Sequence, residues 1–240
     1  MKTTPCWSHS TKRTGALQVG TVETLAGPPD TVADVDTPAV PEAPPVEQVL
    51  AHYRDASRLV RDKVIHHLDE HCIAFIGLSP FATLATSSSD GWPDVSPRGG
   101  DPGFVRVLDE RTLVLPDRPG NNRVDSLKNL AGNPRAALMF LVPGIDESLR
   151  VYGPTSLLPA DALDLDLTEF GRAPQSVLVL RVERAYFQCS KAVMRSGLWD
   201  PERRVERSVF PPFSQVLKDH CRTDAIPEDV LLRAGLRLEL

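Results

Sequence analysis

Apolar positions along this chain follow one period and then another. From Val46 onward, Val49, Tyr53, Ala56, Val60, Val64 and Leu68 recur every three or four residues, the spacing that lines up one apolar stripe on an α-helix. The pattern predicts a helical segment over 46–78, with at most one break, packing its stripe on whatever follows. Ser79-Pro80 ends it. Beyond that point the apolar runs shorten to 81–86, 92–98, 104–108 and 111–115, separated by Ser-Ser-Asp-Gly, Gly-Gly-Asp-Pro-Gly and Asp-Glu. Such runs between turn residues read as strands, and connections this short can join only antiparallel neighbours. Further strands are predicted at 136–142, 149–157 and 177–182, with 185–189 continuing the last. Six to seven antiparallel strands with few helices between them favour a closed or nearly closed barrel in a mainly β (α+β) fold. Helical periodicity returns at 213–220 and 228–234, predicting flanking C-terminal helices.

Residues 1–45 differ from all of this. They hold seven of the 22 prolines and no sustained apolar period, so they cannot bury enough surface to offset the entropy of ordering. The expected organisation is therefore a disordered extension over 1–45, the helical segment over 46–78, a barrel over 79–200 and a helical tail over 201–240. A net charge of -5 and a pI near 5.7 argue against a general nucleic-acid binder, whose affinity comes from clustered positive charge. No run approaches the roughly 18 apolar residues that span a bilayer. No secretory signal is apparent, and the expectation is a cytoplasmic protein away from membranes. Cys6, Cys72, Cys189 and Cys221 are scattered without paired spacing, as reduced thiols would be.

Candidate chemistry concentrates in one stretch, Leu113-Val-Leu-Pro-Asp-Arg-Pro-Gly-Asn-Asn-Arg-Val-Asp-Ser-Leu-Lys-Asn. Here a strand runs through a Pro/Gly/Asn loop into a short helix. Asn121 or Asn122 is placed to cap that helix, which leaves first-turn N–H groups facing outward with Arg118 and Arg123 beside them. Such an arrangement suits a phosphate. Arg98, at the end of Asp94-Val-Ser-Pro-Arg-Gly-Gly, is a further cation that an antiparallel meander could bring alongside. Turn formation and solvated surface charge would explain the same residues without a ligand.

The order of Thr83-Leu-Ala-Thr, Asp90-Gly-Trp-Pro-Asp-Val-Ser-Pro-Arg, Arg111-Thr-Leu-Val-Leu-Pro-Asp-Arg-Pro-Gly-Asn-Asn-Arg, Ser126-Leu-Lys-Asn-Leu and Asn133-Pro-Arg-Ala-Ala-Leu-Met-Phe resembles the pyridoxamine 5'-phosphate oxidase-like family. The similarity runs from about His67 to Pro201, and is strongest to a subgroup of FMN-dependent enzymes. It implies an antiparallel split β-barrel, FMN as cofactor, a homodimer, and oxidoreductase activity on a small-molecule substrate. Residue by residue, it implies that Ser96, Arg98 and Arg123 hold the FMN phosphate and that Leu115, Pro116 and Asp117 neighbour the flavin ring. Arg118, Asn121 and Asn122 would complete the cradle. Arg150, Lys191, Arg195 and Trp199 would come from the partner subunit. The C-terminal Arg/His substrate motif of the true oxidases has no match, so the resemblance carries FMN binding further than any substrate. No catalytic residue is assigned, since the flavin itself performs hydride chemistry.

Two other readings are open. The same barrel can serve as a non-catalytic flavin, deazaflavin or haem-binding protein. His67-Leu-Asp-Glu-His71 also matches the H-x-x-E-H pattern of a zinc hydrolase on predicted helix, with His67, Glu70 and His71 in the metal and base roles. No third ligand is identifiable, and the structural expectation is a helix that packs Cys72, Phe75 and Ile76 on the barrel.

Overall fold

The computed structural model describes residues 42–120, 122–169, 171–223 and 226. The expectations for Asn121, for the helix at 228–234 and for nearly all of 1–45 lie outside the described residues. The chain divides into two units, Met1–Arg54 and Asp55–Leu240. In the first, α1 spans Val46–Leu50 and begins after Pro45, a residue whose fixed φ suits a helix start. All other described elements belong to the second unit.

Where the apolar period predicted helix with at most one break, the chain forms three short helices. The second unit supplies α2, Arg58–Asp62, and α3, Glu70–Leu78. Between them Ile65 forms a two-way backbone bridge with Ala185, at 3.0 and 2.8 Å, and the Leu68 N–H donates to the Glu110 carbonyl at 2.7 Å. Those sheet contacts pull 64–69 out of helical geometry, so tertiary pairing overrides the local period. The α3 N-terminus is capped by Asp69, whose carboxylate accepts from the Cys72 N–H at 2.8 Å. Cys72, Phe75 and Ile76 are buried, and Phe75 meets Phe187 edge-on at 5.3 Å. Burial, first of all, pushes the Cys72 thiol up to about 12, so it packs as an inert apolar group.

Eight strands follow: β1 Phe81–Ser87, β2 Pro93–Gly99, β3 Arg106–Asp109, β4 Thr112–Asp117, β5 Arg135–Leu141, β6 Ser148–Pro159, β7 Ser176–Arg181 and β8 Arg184–Gln188. Every pairing is antiparallel, in the order β2-β1-β5-β6-β7-β4-β3, with β8 added on β6. Among the described residues no ladder joins β2 to β3, so the sheet stays open and the barrel is split. The stretch over 177–189 is two strands and not one with a continuation. β7 pairs with residues 155–159 of β6, whereas β8 pairs with 148–152. β6 thereby belongs to both halves. It crosses between them at Gly153, where a Cβ would lie 1.7 Å from the Arg181 carbonyl oxygen, so only glycine permits the crossing.

The main core gathers Leu68, Ile76, Leu84, Leu113, Leu138, Phe140, Leu149, Val151 and Leu180 with their neighbours. A second cluster, Val114, Leu167 and Val177, lies on the opposite face of β4 with Leu158 and Leu163 against it. β4 is therefore buried on both faces, which accounts for its unbroken Leu113-Val-Leu run. After β8 come α5, Lys191–Ser196, and α6, Phe213–Cys221, the latter where the period predicts a helix. Between β4 and β5 lies α4, Asp125–Gly132.

Gly153→Ala should abolish stable folding or lower the melting temperature by about six to twelve degrees, as about 3 kcal/mol of strain would require in a domain of this size. Gly77→Ala in α3, where a Cβ meets nothing within 4 Å, should be neutral or stabilising by up to about 1 kcal/mol. Thermal melts of the two variants check the contrast.

Candidate functional site

The open side of the sheet carries a cavity of about 520 Å³, within the roughly 300–1,000 Å³ usual for small-molecule sites. Residues 94–99 of β2 form one wall, and 116–120 at the end of β4 form the other. Residues 122–126 at the start of α4 close one end, and Phe104 and Gln175 complete the lining. Period two places Asp94, Ser96 and Arg98 on the same face of β2, and all three are half-buried. β3 pairs with β4 only as far as Val114, so residues 115–117 have no described strand on that side. On the other side they pair with β7, and the Gln175 N–H donates to the Asp117 carbonyl at 3.1 Å.

Ion pairs dominate the interior. Arg98 Nη1 lies 2.7 Å from Asp117 Oδ1, with side chains only 19% and 15% exposed, while Arg98 Nε is buried without a hydrogen-bond partner. Arg118 Nη2 lies 2.6 Å from Glu169 Oε2 and donates to the Leu167 carbonyl at 3.2 Å. Glu169 also accepts the Asp101 N–H, tying the β6–β7 connection to the loop after β2. Arg123 Nε sits 2.8 Å from Asp125 Oδ2 and is 72% exposed. That hydrogen bond holds the Arg123 guanidinium above the usual arginine range.

The helix start differs from the expected one. α4 begins at Asp125, its N-cap is Val124, and no side chain caps it, so Asn122 is not the cap and Arg123 lies just before the helix. Asn122 and Val124 both adopt left-handed backbone, φ 60° and 50°. For a β-branched valine such a conformation costs about 1–3 kcal/mol, a strain that concentrates at ligand sites. Asp94 anchors the helix in place. It accepts from Ser126 Oγ at 2.8 Å and from Thr86 Oγ1 at 3.4 Å, and Asn129 Nδ2 donates to Thr86 Oγ1 at 3.1 Å.

Of the residues singled out from the sequence, Ser96, Arg98, Pro116, Asp117, Arg118, Asn122 and Arg123 all line this cavity. Leu115 is adjacent but turns its side chain into the main core. Arg150, Lys191, Arg195 and Trp199 do not line it. Arg150 lies on β6 opposite Tyr186, Lys191 and Arg195 are exposed on α5, and Trp199 Nε1 donates to the Ile145 carbonyl at 2.9 Å. His67 precedes the α3 cap, so His67 and His71 do not share a helix face. Among the described residues no group of three His, Cys, Asp or Glu could hold a metal. Sequence reasoning missed Asp94, Asp125, Ser126 and Glu169. The alternation of Asp94 with Ser96 and Arg98 could have found the first, whereas nothing local marks Glu169, which lies far along the chain from its partner Arg118.

Residues 68–189 match the family model described as Pyridoxamine 5'-phosphate oxidase. No curated protein sequence matches the chain. Solved structures similar to it include HupZ of Group A Streptococcus, 17% identical over 50% of this chain and 92% of that one, with a TM-score of 0.42. General Stress Protein 26 from Bacillus anthracis is 14% identical over 48% and 89%, with a TM-score of 0.35. A heme binding protein from Mycobacterium smegmatis is 24% identical over 48% and 50%, with a TM-score of 0.36.

Glu169→Ala should destabilise the protein by about 1–3 kcal/mol, because it strands the Arg118 guanidinium and the Asp101 N–H together. Glu169→Gln, which keeps an acceptor for Asp101, should recover part of that loss. Urea denaturation of the three proteins measures it, and equal midpoints would show that the contact contributes nothing.

Proposed function

Because this chain belongs to the pyridoxamine 5'-phosphate oxidase family across residues 68–189, we propose that it binds FMN in the cavity between β2 and β4 and acts as an FMN-dependent oxidoreductase on a small organic molecule. The observation that carries this reading is the half-buried Arg98, whose buried Nε has no hydrogen-bond partner in a cavity also lined by Arg118 and Arg123. A terminal phosphate answers that arrangement, since guanidinium and phosphate pair through parallel hydrogen bonds. The donor set fits the group. Ser96 and Arg98 would hold the phosphate from one wall, and Arg123 and Asn122 from the other. The unpaired side of residues 115–117 would receive the polar edge of the ring. Bound flavin would supply hydride transfer, and the protein's share is to bind, orient and shield it.

We also propose a homodimer. One face of the sheet sets Thr83, Met139, Arg150 and Tyr186 in one cross-strand row and Val95, Ala85, Ala137 and Tyr152 in the next. Apart from Arg150 these residues are small, apolar or aromatic and at most half-buried, with Val95 66% exposed, as suits a surface that a second copy covers. Arg150 is held in this face by the Tyr152 and Tyr186 hydroxyls, which raise it above the ordinary arginine range. Arg150, Lys191, Arg195 and Trp199 are assigned to the partner's cavity in this arrangement. Among the described residues no helix is long and apolar enough to cross a membrane, and the proposed location is the cytoplasm.

Protein purified from a flavin-sufficient host should be yellow and release FMN on denaturation, with no FAD, since the sequence offers no glycine-rich fingerprint for an adenosine half. A haem or deazaflavin spectrum, or a colourless preparation that takes up no FMN, would replace this reading. Arg98→Ala should weaken FMN binding about ten- to hundred-fold, the worth of one charge-assisted hydrogen bond of about 1.5–3 kcal/mol. Arg123→Ala should cost less, because Arg123 is 72% exposed and water screens what it offers. Fluorescence titration of the apoprotein ranks the two.

A further inference from the structure

We propose that Asp117 is an internal counter-ion that competes with the ligand's phosphate for Arg98, so that the site takes up its anion by exchanging one negative group for another. This rests on the reading of the cavity as a phosphate site. Each cation in the lining already has an acidic partner. Glu169 holds Arg118 and Asp125 holds Arg123, and three aspartates, Asp94, Asp117 and Asp125, line the cavity against three arginines. The side chains facing the ligand therefore sum to no formal positive charge, which is unlike a cradle that attracts phosphate by excess charge alone.

The three pairs are not equivalent. Glu169 is tied down a second time by the Asp101 N–H, and Arg118 also gives a hydrogen bond to the Leu167 carbonyl, so that pair is a strut. Arg123 and Asp125 are 72% and 40% exposed, and water can replace either partner. Arg98 and Asp117 are 19% and 15% exposed. Arg98 gives Asp117 one hydrogen bond at 2.7 Å and keeps Nε unpartnered, although a guanidinium carries five N–H donors. A phosphate monoester brings three acceptor oxygens and close to two charges, against two oxygens and one charge on Asp117. The monoester therefore wins the guanidinium, but its affinity is reduced by the bond it displaces and by repulsion from the Asp117 carboxylate left nearby.

The test is fluorescence titration of the full-length apoprotein with FMN and with riboflavin, which lacks the phosphate. Asp117→Asn should raise the ratio of FMN affinity to riboflavin affinity about tenfold, close to the worth of one charge-assisted hydrogen bond, whatever it does to the ring contact that both ligands share. Asp117→Ser should show the same selective gain, and neither gain should survive in combination with Arg98→Ala. In thermal melts Asp117→Asn should lower the apoprotein midpoint, because Arg98 loses its partner, and enlarge the rise that FMN produces. An unchanged or lower ratio in Asp117→Asn, while Arg98→Ala still separates FMN from riboflavin, would overturn the counter-ion and leave the phosphate site standing. If Arg98→Ala binds FMN and riboflavin as the parent does, the phosphate reading fails and the counter-ion falls with it.

Discussion

The Arg98–Asp117 ion pair joins two strands that the sheet itself leaves apart. β2 ends the strand order on one side, and β4 lies one strand from the other end, so no backbone ladder links them. Their side chains meet at 2.7 Å across the split, and the cavity lies where they meet. In a closed barrel this position would be taken by strand pairing. Opening the sheet leaves two strand ends whose polar groups face each other instead of a neighbour, and it lets the loop after β4 and the start of α4 form the remaining wall. A mostly buried pair of this kind contributes little net stability when desolvation is counted. Its importance is geometric, because it fixes the distance between the two walls and holds a cation ready inside.

For that geometry to be reproducible, β4 must not move. Its two faces are buried in separate clusters, Leu113 and Leu115 in one and Val114 in the other. The second cluster exists because the β6–β7 connection folds over the strand with Leu163 and Leu167. The same connection carries Glu169 to Arg118, so apolar packing and an ion pair hold the loop from two directions. On the opposite wall Asp94 links β2 to α4 through Ser126. The left-handed backbone at Asn122 and Val124 is then sustained by anchors on both sides of it, as local strain requires.

Much of this was legible in the sequence. Turn residues bounded the strands because Gly, Pro, Asn and Asp supply backbone conformations that strands cannot, and the run from Leu113 to Arg123 marked both the β4 end and the loop. What was not legible depended on distant partners. The helical period over 46–78 gave no sign that Ile65 would bridge to Ala185, since that bond is set 120 residues away in sequence by β8 docking on β6. The separation of β7 from β8 follows from Gly153 and from which half of β6 each strand meets. Asn122 does not cap α4, because asparagine's preference for caps is also a preference for left-handed turns, and Asn122 serves the second. Glu169 was invisible because its function lies entirely in what it touches.

In the proposed complex the anionic end of a flavin sits at Arg98 in the split between β2 and β4. Crystals of the FMN-loaded protein test it directly. Electron density should place the phosphate within hydrogen-bonding distance of the Arg98 guanidinium, with Ser96 and Arg123 around it and the ring along residues 115–117. Flavin density elsewhere on the barrel, or a phosphate out of reach of Arg98, would contradict it.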